Sequence, residues 1–509
     1  MDFAVLCHGH NPPRPEEGMP FDYLELGSGM GLSLCLLAAA YPEGQFTGVD
    51  FHPDHIAHSR WLADALGLGN IHFLEADFLA LQQDMSPLGL RPGLSGRFQY
   101  VAAHGIATWI TPTIQAAMLA VASIALVPGG VFYCSYNTYP GWLGLSLFQH
   151  LSQLERGRVG FAGTRAAYDR TLQTLHILIG NEDRPTVLGS NLPSLRQDLL
   201  SVEKASLHYL TGEYANAGWC PLYVADMHRR CHDKKLRYVA SATLPETFDE
   251  LLSESLHEAV LSEADPLIRQ SLIDFATNKS FRRDLFVRGF RGLTVPQRDR
   301  RFSAMRLCLQ EAPPQDTYSF ATVFGEVKGD HAAYSQIEEV LTSSPHTIAH
   351  LIEETGQPLP VLVKILAMLL HAGRLGLDRG SAGPKAREGS LQANRQLSDF
   401  AIEGSPYSFL VAPYAGTAIP FTTTDSLVHK ALSEGLQGEL LTACVQMGLT
   451  SLGAQLRDHE NKPITNPALQ SEAINTLILQ YQAVRLPALR SLGALAEGSP
   501  GSTASPPGR

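Results

Sequence analysis

The stretch Tyr23–Asp50, which reads YLELGSGMGLSLCLLAAAYPEGQFTGVD, holds the pattern that decides the fold. An apolar strand, Tyr23 to Leu26, runs into three alternating glycines, and a run rich in Leu and Ala then continues without a breaker until Pro42. A second short strand, Phe46 to Val49, ends on Asp50. We therefore predict the strand, tight turn, helix and second strand of a nucleotide-binding βαβ unit, in which Asp50 takes the hydroxyls of a ribose.

The spacing of the glycines indicates which nucleotide this unit binds. The dinucleotide fingerprint G-x-G-x-x-G requires glycine at position 32, where this chain has Leu32, so the NAD interpretation weakens. The chain instead has an acid, Glu25, two residues before a G-x-G-x-G run. That pattern resembles motif I of the class I S-adenosylmethionine (SAM) methyltransferases, whose loop wraps the methionine part of the cofactor.

A plain strand-to-helix turn would also be rich in glycine. The acidic residues that follow the loop favour a SAM site over such a turn. A third strand, Ile71 to Leu74, is followed by Asp77, and an acidic residue there matches the position at which that superfamily holds the adenine amino group. The glycine loop, Asp50 and Asp77 occur in the order that a cofactor site requires.

Five predicted strands alternate with helices, which indicates a doubly wound, mostly parallel α/β sheet of the Rossmann-like type. Ligands of such sheets lie beyond the carboxyl ends of the strands. The glycine loop, Asp50, Asp77, His104 and the residues from Tyr136 onward all fall at such ends. Residues 236–242 are expected to form a late strand that extends the same sheet.

The segment SYNTYPGW, Ser135 to Trp142, follows the fifth strand. One interpretation is a turn that packs its aromatic side chains against a helix. The other is a substrate pocket, and the position at the cofactor's methyl group favours it. In this interpretation Tyr136, Tyr139, Trp142 and Trp109 form the walls, while Asn137 or the Tyr139 hydroxyl accepts amine hydrogens. His104 is a conceivable base, although a role in ordering the loop or contacting the cofactor is favoured.

Composition limits the other possible functions. With 509 residues, 44% of them hydrophobic, the chain is expected to fold as two to four domains. A net charge of −11 argues against nucleic acid as a partner. The seven cysteines form no C-x-x-C pair, which favours reduced thiols and no metal site. Since neither a signal peptide nor a run of about 18 apolar residues is found, we expect a cytoplasmic protein without stable membrane insertion.

The remaining chain is expected to form mostly helical domains. Four arginines are concentrated in one short segment: Arg282, Arg283, Arg288 and Arg291. We interpret them as a solvated helix face, or as partners of acids such as Glu258 and Asp274, and we favour these interpretations over a substrate-docking site. A flexible Gly/Ser segment is expected at 380–389. The predicted boundaries are a flexible lead-in (1–21), a methyltransferase domain (22–200), a middle domain (201–312), a winged-helix-like helical domain (313–379), a C-terminal helical domain (390–496) and a disordered tail (497–509).

Several motifs together carry a family resemblance over residues 22–310. The motifs are ELGSGMG, GVDFHPDHI, AHGIATWI, SYNTYPGW, YLTGEYAN and NKSFRRDLF. They resemble the bacterial class I methyltransferases with a methyltransferase regulatory domain, a group that includes the rickettsial-type protein lysine methyltransferases. The resemblance implies SAM as cofactor, no metal, a protein lysine as substrate and a regulatory domain near residues 205–290.

Position and motif together predict two sets of site residues. The cofactor set is Glu25, Gly27, Ser28, Gly29, Gly31, Asp50, Phe51, Asp77, Phe78 and His104. The catalytic set is Tyr136, Asn137, Tyr139, Trp142 and Trp109. Two alternatives stay open, a small-molecule methyltransferase and a scaffold whose methyltransferase fold is inactive, and a homo-oligomer is a further possibility for the assembly.

Overall fold

The computed structural model describes residues 1–13, 18–91, 96–160, 163–216, 218–311, 317–380, 383–457 and 462–496. The first part of the chain alternates strands with helices. Its elements are α1 (Asp2–Cys7), β1 (Phe21–Leu26), α2 (Leu32–Ala40), β2 (Gly44–Asp50), α3 (Pro53–Ala65), β3 (Ile71–Glu75), α4 (Phe78–Gln83), β4 (Phe98–Ala103), α5 (Pro112–Ala125) and β5 (Leu126–Asn137). The predicted alternation of five strands with helices is confirmed.

A helical segment follows and leads to two further strands. Its elements are α6 (Leu143–Val159), α7 (Thr164–Ile179), α8 (Val187–Asn191), α9 (Leu195–Lys204), α10 (Leu207–Tyr214), α11 (Val224–Asp233), β6 (Arg237–Ser241), α12 (Glu254–Ser262), α13 (Pro266–Ala276) and β7 (Phe281–Val287). β6 is the predicted late strand.

These strands form one seven-stranded sheet in the order β3-β2-β1-β4-β5-β7-β6. β1 to β5 pair in parallel, whereas β7 is antiparallel to both β5 and β6. The strand order changes direction between β1 and β4, and ligands of open α/β sheets bind in the crevice at such a point. Here β1 ends at Leu26, directly before the glycine loop.

The arginine cluster lies on and beside strand β7, so the expectation of a helix face was wrong. Arg282 is 1% exposed and forms an ion pair with Asp274, one of the two acids named as partners. β7 lies between β5 and β6, and both of its faces are largely buried, so Arg282 enters the core, where a charge needs a buried partner.

The amino terminus is also more ordered than expected. Helix α1 buries Phe3, Val5 and Leu6, and the Phe3 ring packs edge-on against Phe302 at 5.5 Å. His10 Nε2 lies 3.1 Å from the Gly129 carbonyl oxygen, at the start of β5. The lead-in therefore packs at the end of the sheet opposite the glycine loop, because burial of its apolar side chains favours order.

The remaining elements form two helical units. They are α14 (Val295–Ala304), β8 (Arg306–Leu309), β9 (Tyr318–Thr322), β10 (Gly325–Gly329), α15 (His331–Ser343), β11 (His346–Thr347), α16 (Ile348–Thr355), α17 (Leu359–His371), β12 (Leu375–Leu377), α18 (Pro384–Ile402), β13 (Phe409–Ala412), β14 (Thr417–Pro420), α19 (Thr423–Ser433), α20 (Gly438–Ser451), α21 (Pro467–Gln480) and α22 (Leu486–Ser491).

The first unit combines helices α15, α16 and α17 with a small antiparallel sheet in the order β11-β8-β12. The apolar helix α17 is a core helix, since Leu362, Leu366 and Leu369 are fully buried. Within the described ranges, no helix is long and apolar enough to cross a bilayer.

The second unit packs against helix α2. Helix α18 begins at Pro384, so the segment expected to be flexible is largely helical, apart from residues 381–382, which lie outside the described ranges. The reason is packing, because Ala386 and Ser390 are buried and Ser390 Oγ donates to the Ala39 carbonyl oxygen at 3.1 Å. Most of α2 is thus covered on both sides, by the sheet and by this unit.

Candidate functional site

The glycine loop joins β1 to α2 in a conformation that requires glycine. Gly27, Gly29 and Gly31 have φ angles of +75°, +53° and +78°, in the left-handed region that other residues rarely adopt. A Cβ atom on Gly27 would lie 2.7 Å from Ile106 Cδ1, and one on Gly31 would lie 2.5 Å from Ser59 Oγ. A Cβ on Gly29 would meet nothing within 4 Å. Gly29 therefore faces open space at the carboxyl end of the sheet.

Asp50, the last residue of β2, holds this loop in place. Its Oδ2 accepts a hydrogen bond from the Gly29 backbone N–H at 2.9 Å, and its Oδ1 accepts one from the His52 N–H at 2.9 Å. The carboxylate is 7% exposed. Phe51 is 71% exposed and presents an apolar ring beside it, a suitable surface for a flat aromatic ligand.

Glu25 and Ser28 are buried polar groups of the same loop. Glu25 is 7% exposed, and burial raises the pKa of its carboxyl to about 7, partly offset by a hydrogen bond from the Ser33 side chain. The Ser28 Oγ is buried without a hydrogen-bond partner among the described residues. Buried polar atoms without partners are rare in folded proteins. A polar ligand at this loop is therefore compatible with the groups present.

The next pair of predicted residues follows β3. Asp77 begins helix α4, where its Oδ1 accepts a hydrogen bond from the Leu79 N–H at 2.6 Å. Asp77 therefore has a helix-capping role in addition to any ligand role. Phe78 is 9% exposed and packs in the core with Leu81.

His104 occupies the end of β4. Its side chain is exposed, and its Nδ1 lies 2.9 Å from the Tyr133 hydroxyl and 3.2 Å from Ser135 Oγ. Partial burial, with a smaller contribution from the positive charge of Arg283, lowers the pKa of His104. The His104 imidazole, next to the glycine loop, is therefore neutral at pH 7.

The loop after β4 connects the glycine loop to a second group of predicted residues. Ile106 packs on Gly27, and three residues later the Trp109 backbone N–H donates to the Ile106 carbonyl oxygen at 2.9 Å. Between them, Thr108 Oγ1 accepts a hydrogen bond of 3.2 Å from the Asn137 backbone N–H, at the end of β5. Residues 104–109 therefore bring the two groups to the same edge of the sheet.

The second group converges on Glu213, a residue of helix α10 that sequence reasoning missed. Its Oε1 accepts hydrogen bonds from Asn137 Nδ2 at 2.6 Å, Trp219 Nε1 at 3.2 Å and Trp109 Nε1 at 3.4 Å. The available signal was the YLTGEYAN segment, which places one acid among aromatic residues. Burial raises the pKa of Glu213, while these three hydrogen bonds oppose the shift.

Trp142 and Tyr139 line the same region. The Trp142 ring lies 5.6 Å from the Trp219 ring, and its Nε1 donates to the Ser280 carbonyl oxygen at 2.8 Å. The Tyr139 ring packs 5.2 Å from that of Tyr223. Trp109 thus shares Glu213 with Asn137, Trp142 reaches the same cluster through Trp219, and Tyr139 packs on Tyr223.

Tyr136 lies outside this group, so its predicted place in the pocket wall was wrong. Its side chain is fully buried on the other face of β5, and its hydroxyl donates to Asp284 Oδ2 at 2.5 Å. The alternation of side chains along a strand explains the difference, since Tyr136 and Asn137 point to opposite faces.

Two family models match parts of this chain. Residues 20–155 match the family described as a methyltransferase domain, and residues 206–288 match the family described as a predicted methyltransferase regulatory domain. Strands β6 and β7 fall within the second match, so that segment completes the sheet of the first.

Two curated relatives and one solved structure are similar over long stretches. An uncharacterized protein of Synechocystis sp. is 28% identical over 479 residues, covering 93% of this chain and 91% of that protein. An uncharacterized protein of Rickettsia prowazekii is 24% identical over 277 residues, covering 54% of this chain and 47% of that protein. PKMT2 from Rickettsia typhi, in complex with AdoHcy, aligns over 97% of this chain and 96% of its own at a TM-score of 0.66 and 17% identity, which shows a shared fold.

Proposed function

Residues 20–155 are a class I SAM-dependent methyltransferase domain, and from this premise we propose that the chain methylates lysine side chains of proteins. Two features support the proposal. Its motifs resemble those of the rickettsial-type protein lysine methyltransferases, and its fold matches that of PKMT2 from end to end. The observation that carries the proposal is the loop 104–109, which joins the glycine loop to a pocket of aromatic side chains.

We assign the cofactor site to the glycine loop and the carboxyl ends of β2 and β3. Gly29 leaves the space, and the exposed Phe51 ring offers a stacking surface. We assign the ribose hydroxyls to the Asp50 carboxylate, whose oxygens also hold the glycine loop. Ser28 Oγ and the buried Glu25 carboxyl are available to the polar methionine part. When bound, SAM supplies an electrophilic methyl group on a positively charged sulfur.

A lysine substrate must lose a proton before its amine can accept a methyl group, and the aromatic pocket favours that loss. A free lysine has a pKa near 10.4, so little of its amine is neutral at pH 7. Burial of the side chain among Trp109, Trp142 and Tyr139 disfavours the ammonium form and lowers that pKa. Asn137 is held by Glu213 through its Nδ2, which leaves its amide oxygen as an acceptor for an amine hydrogen.

The partners and the compartment follow from the same proposal. We propose a protein substrate rather than nucleic acid, in line with the net charge of −11. All seven cysteines are free thiols, which supports the cytoplasm as the compartment.

Methyl transfer is tested with SAM labelled in its methyl group and an extract of total cell protein. We expect label in protein, and methyllysine after acid hydrolysis, with both signals lost in the Asn137→Ala variant. The variant Asn191→Ala, which removes an exposed amide side chain at the end of helix α8, serves as a control that retains labelling. Label confined to small molecules would refute the lysine proposal and support a metabolite substrate, and no label in any fraction would support an inactive scaffold.

A further inference from the structure

Glu213 is a carboxylate with an unusual set of neighbours. Its side chain is buried in the aromatic pocket, at 6% exposure for the residue. The three groups that donate to its Oε1, the Asn137 amide and the indoles of Trp109 and Trp219, are all neutral. Within the described part of the chain, no Lys, Arg or His side chain forms an ion pair with it. A buried carboxylate without a cation is costly, unless a cation arrives from outside the chain.

The second oxygen of Glu213 has no donor among the described residues. All three hydrogen bonds go to Oε1, and none of them goes to Oε2. Oε2 is not fully buried either. It therefore keeps an acceptor position for a donor from outside the chain.

The side chains around Glu213 are aromatic. The indoles of Trp109 and Trp219 donate to its Oε1, and the Trp142 ring packs 5.6 Å from that of Trp219. An alkyl chain gains from contact with apolar surfaces of this kind, and the Glu213 carboxylate supplies a negative charge, so a primary alkylammonium group matches these neighbours.

We propose that Glu213 binds the ammonium group of the methyl acceptor through Oε2 and takes its proton. This inference rests on the proposed function and deepens it. Glu213 and Trp219 belong to residues 206–288, the segment that matches the regulatory domain family. That segment then supplies a catalytic residue, rather than acting only on the catalytic domain from outside.

The reaction consists of one proton transfer followed by one methyl transfer. The ammonium group gives one proton to the Glu213 carboxylate, which leaves a neutral amine and a carboxylic acid. The nitrogen lone pair then forms the new carbon–nitrogen bond while the carbon–sulfur bond breaks and its electron pair stays on sulfur. The methylated nitrogen carries the positive charge that the sulfur has lost, and Glu213 releases its proton to solvent.

The test measures binding of n-butylammonium, a lysine side-chain analogue, by tryptophan fluorescence. Three of the four tryptophans in the chain, Trp109, Trp142 and Trp219, belong to this pocket. We expect n-butylammonium to change the fluorescence in a saturable manner, and the neutral analogue 1-pentanol to require at least about tenfold higher concentration. Equal responses to the two probes would overturn the proposal, and this comparison needs no variant.

A substitution then assigns the effect to Glu213. The Glu213→Gln variant keeps an amide oxygen for Asn137, Trp109 and Trp219 but removes the negative charge. We expect it to weaken n-butylammonium binding at least about tenfold and to keep the thermal midpoint within a few degrees. Asp169→Asn removes a carboxylate from helix α7, where it pairs with Arg165 at 3.1 Å, and should leave binding unchanged. Unchanged binding in Glu213→Gln would overturn the proposal.

SAM calorimetry on the same samples separates this inference from the proposed function. A parent protein that binds SAM but not n-butylammonium would contradict only the role of Glu213. A parent protein that binds n-butylammonium but not SAM would contradict the proposed function.

Discussion

The Tyr136 hydroxyl donates a 2.5 Å hydrogen bond to Asp284 Oδ2, joining strand β5 to its antiparallel neighbour β7. Asp284 also accepts from His228 Nε2 at 3.0 Å and from Arg282 Nε at 3.0 Å. Burial opposes the ionisation of Asp284, but Arg282 and the His228 hydrogen bond outweigh it and hold the pKa of Asp284 well below its usual range. A buried charge network in the regulatory segment thus supports the strand that ends at Asn137.

The first prediction concerns this hydrogen bond. Tyr136→Phe removes the hydroxyl that donates to Asp284, and a buried hydrogen bond to a charged group is worth about 1.5–3 kcal/mol. We expect a loss of that size in the free energy of unfolding, measured by urea denaturation, with SAM binding retained.

Tyr238→Phe is the matched control for Tyr136→Phe. Tyr238 lies in the same cluster, stacked on His228 at 4.2 Å, but its hydroxyl makes only a 3.4 Å hydrogen bond to Gln270. An equal loss in both variants would contradict the importance assigned to the bond between Tyr136 and Asp284.

The second prediction concerns Arg282. Arg282→Met leaves Asp274 and Asp284 buried without their cation, and breaking a buried pair costs about 3–5 kcal/mol. We expect a large decrease in the urea midpoint. Arg283→Met, at the next position of β7 with an exposed side chain, should cost less than about 1 kcal/mol. Similar midpoints for the two variants would show that the buried network contributes little.

The third prediction separates backbone strain from space for the cofactor. Gly29→Ala places a Cβ in open space at φ +53°, so its cost in stability is about 1 kcal/mol of left-handed strain. Gly435→Ala, at φ +82° in a remote turn that also has nothing within 4 Å, carries the same strain. We expect calorimetry to show weaker SAM binding, by at least about tenfold, in Gly29→Ala alone. Equal SAM affinities in the two variants would place the cofactor elsewhere.

The fourth prediction is a dependence of stability on pH through Glu25. Burial raises the pKa of this carboxyl from its ordinary 4.5 to about 7. Between these two values the folded protein keeps a proton that the unfolded chain has lost, so the contribution of Glu25 to stability falls as the pH rises. A shift of this size corresponds to about 3 kcal/mol.

Urea denaturation at pH 5 and pH 8 tests that sign. The free energy of unfolding of the parent protein should fall, relative to that of Glu25→Gln, by about 2.5 kcal/mol from pH 5 to pH 8. The comparison between variants removes the contributions of all other groups. A constant difference, or one that favours the parent at pH 8, would contradict the raised pKa.

Local patterns made much of the sheet predictable. The strand from Tyr23 to Leu26, the glycine loop and Asp50 follow one another in sequence, and their periodicity and spacing contain the information needed. The late strand was also recognised, because residues 236–242 form a short apolar run of their own. These features depend on neighbouring residues, which a single sequence displays directly.

Features that depend on distant residues were missed. Strand β7 was interpreted as a helix face because its place between β5 and β6 depends on distant strands, whereas the alternative interpretation, pairing with acids such as Asp274, is confirmed for Arg282. Tyr136 was placed in the pocket together with Asn137 because the segment was interpreted as a loop, whereas β5 continues to Asn137 and neighbouring side chains of a strand point to opposite faces. Glu213 was missed because it lies 76 residues from Asn137 along the chain.

The most direct test of the whole account is calorimetric titration of SAM into the parent protein and into Asp50→Ala. The account predicts binding of one SAM per chain to the parent, and a loss of at least about tenfold in affinity, or about 1.4 kcal/mol, in Asp50→Ala. Asp54→Ala removes an acid with an 88% exposed side chain four residues away and should bind as the parent does. No heat with the parent protein, or equal affinities for the parent and Asp50→Ala, would contradict the account.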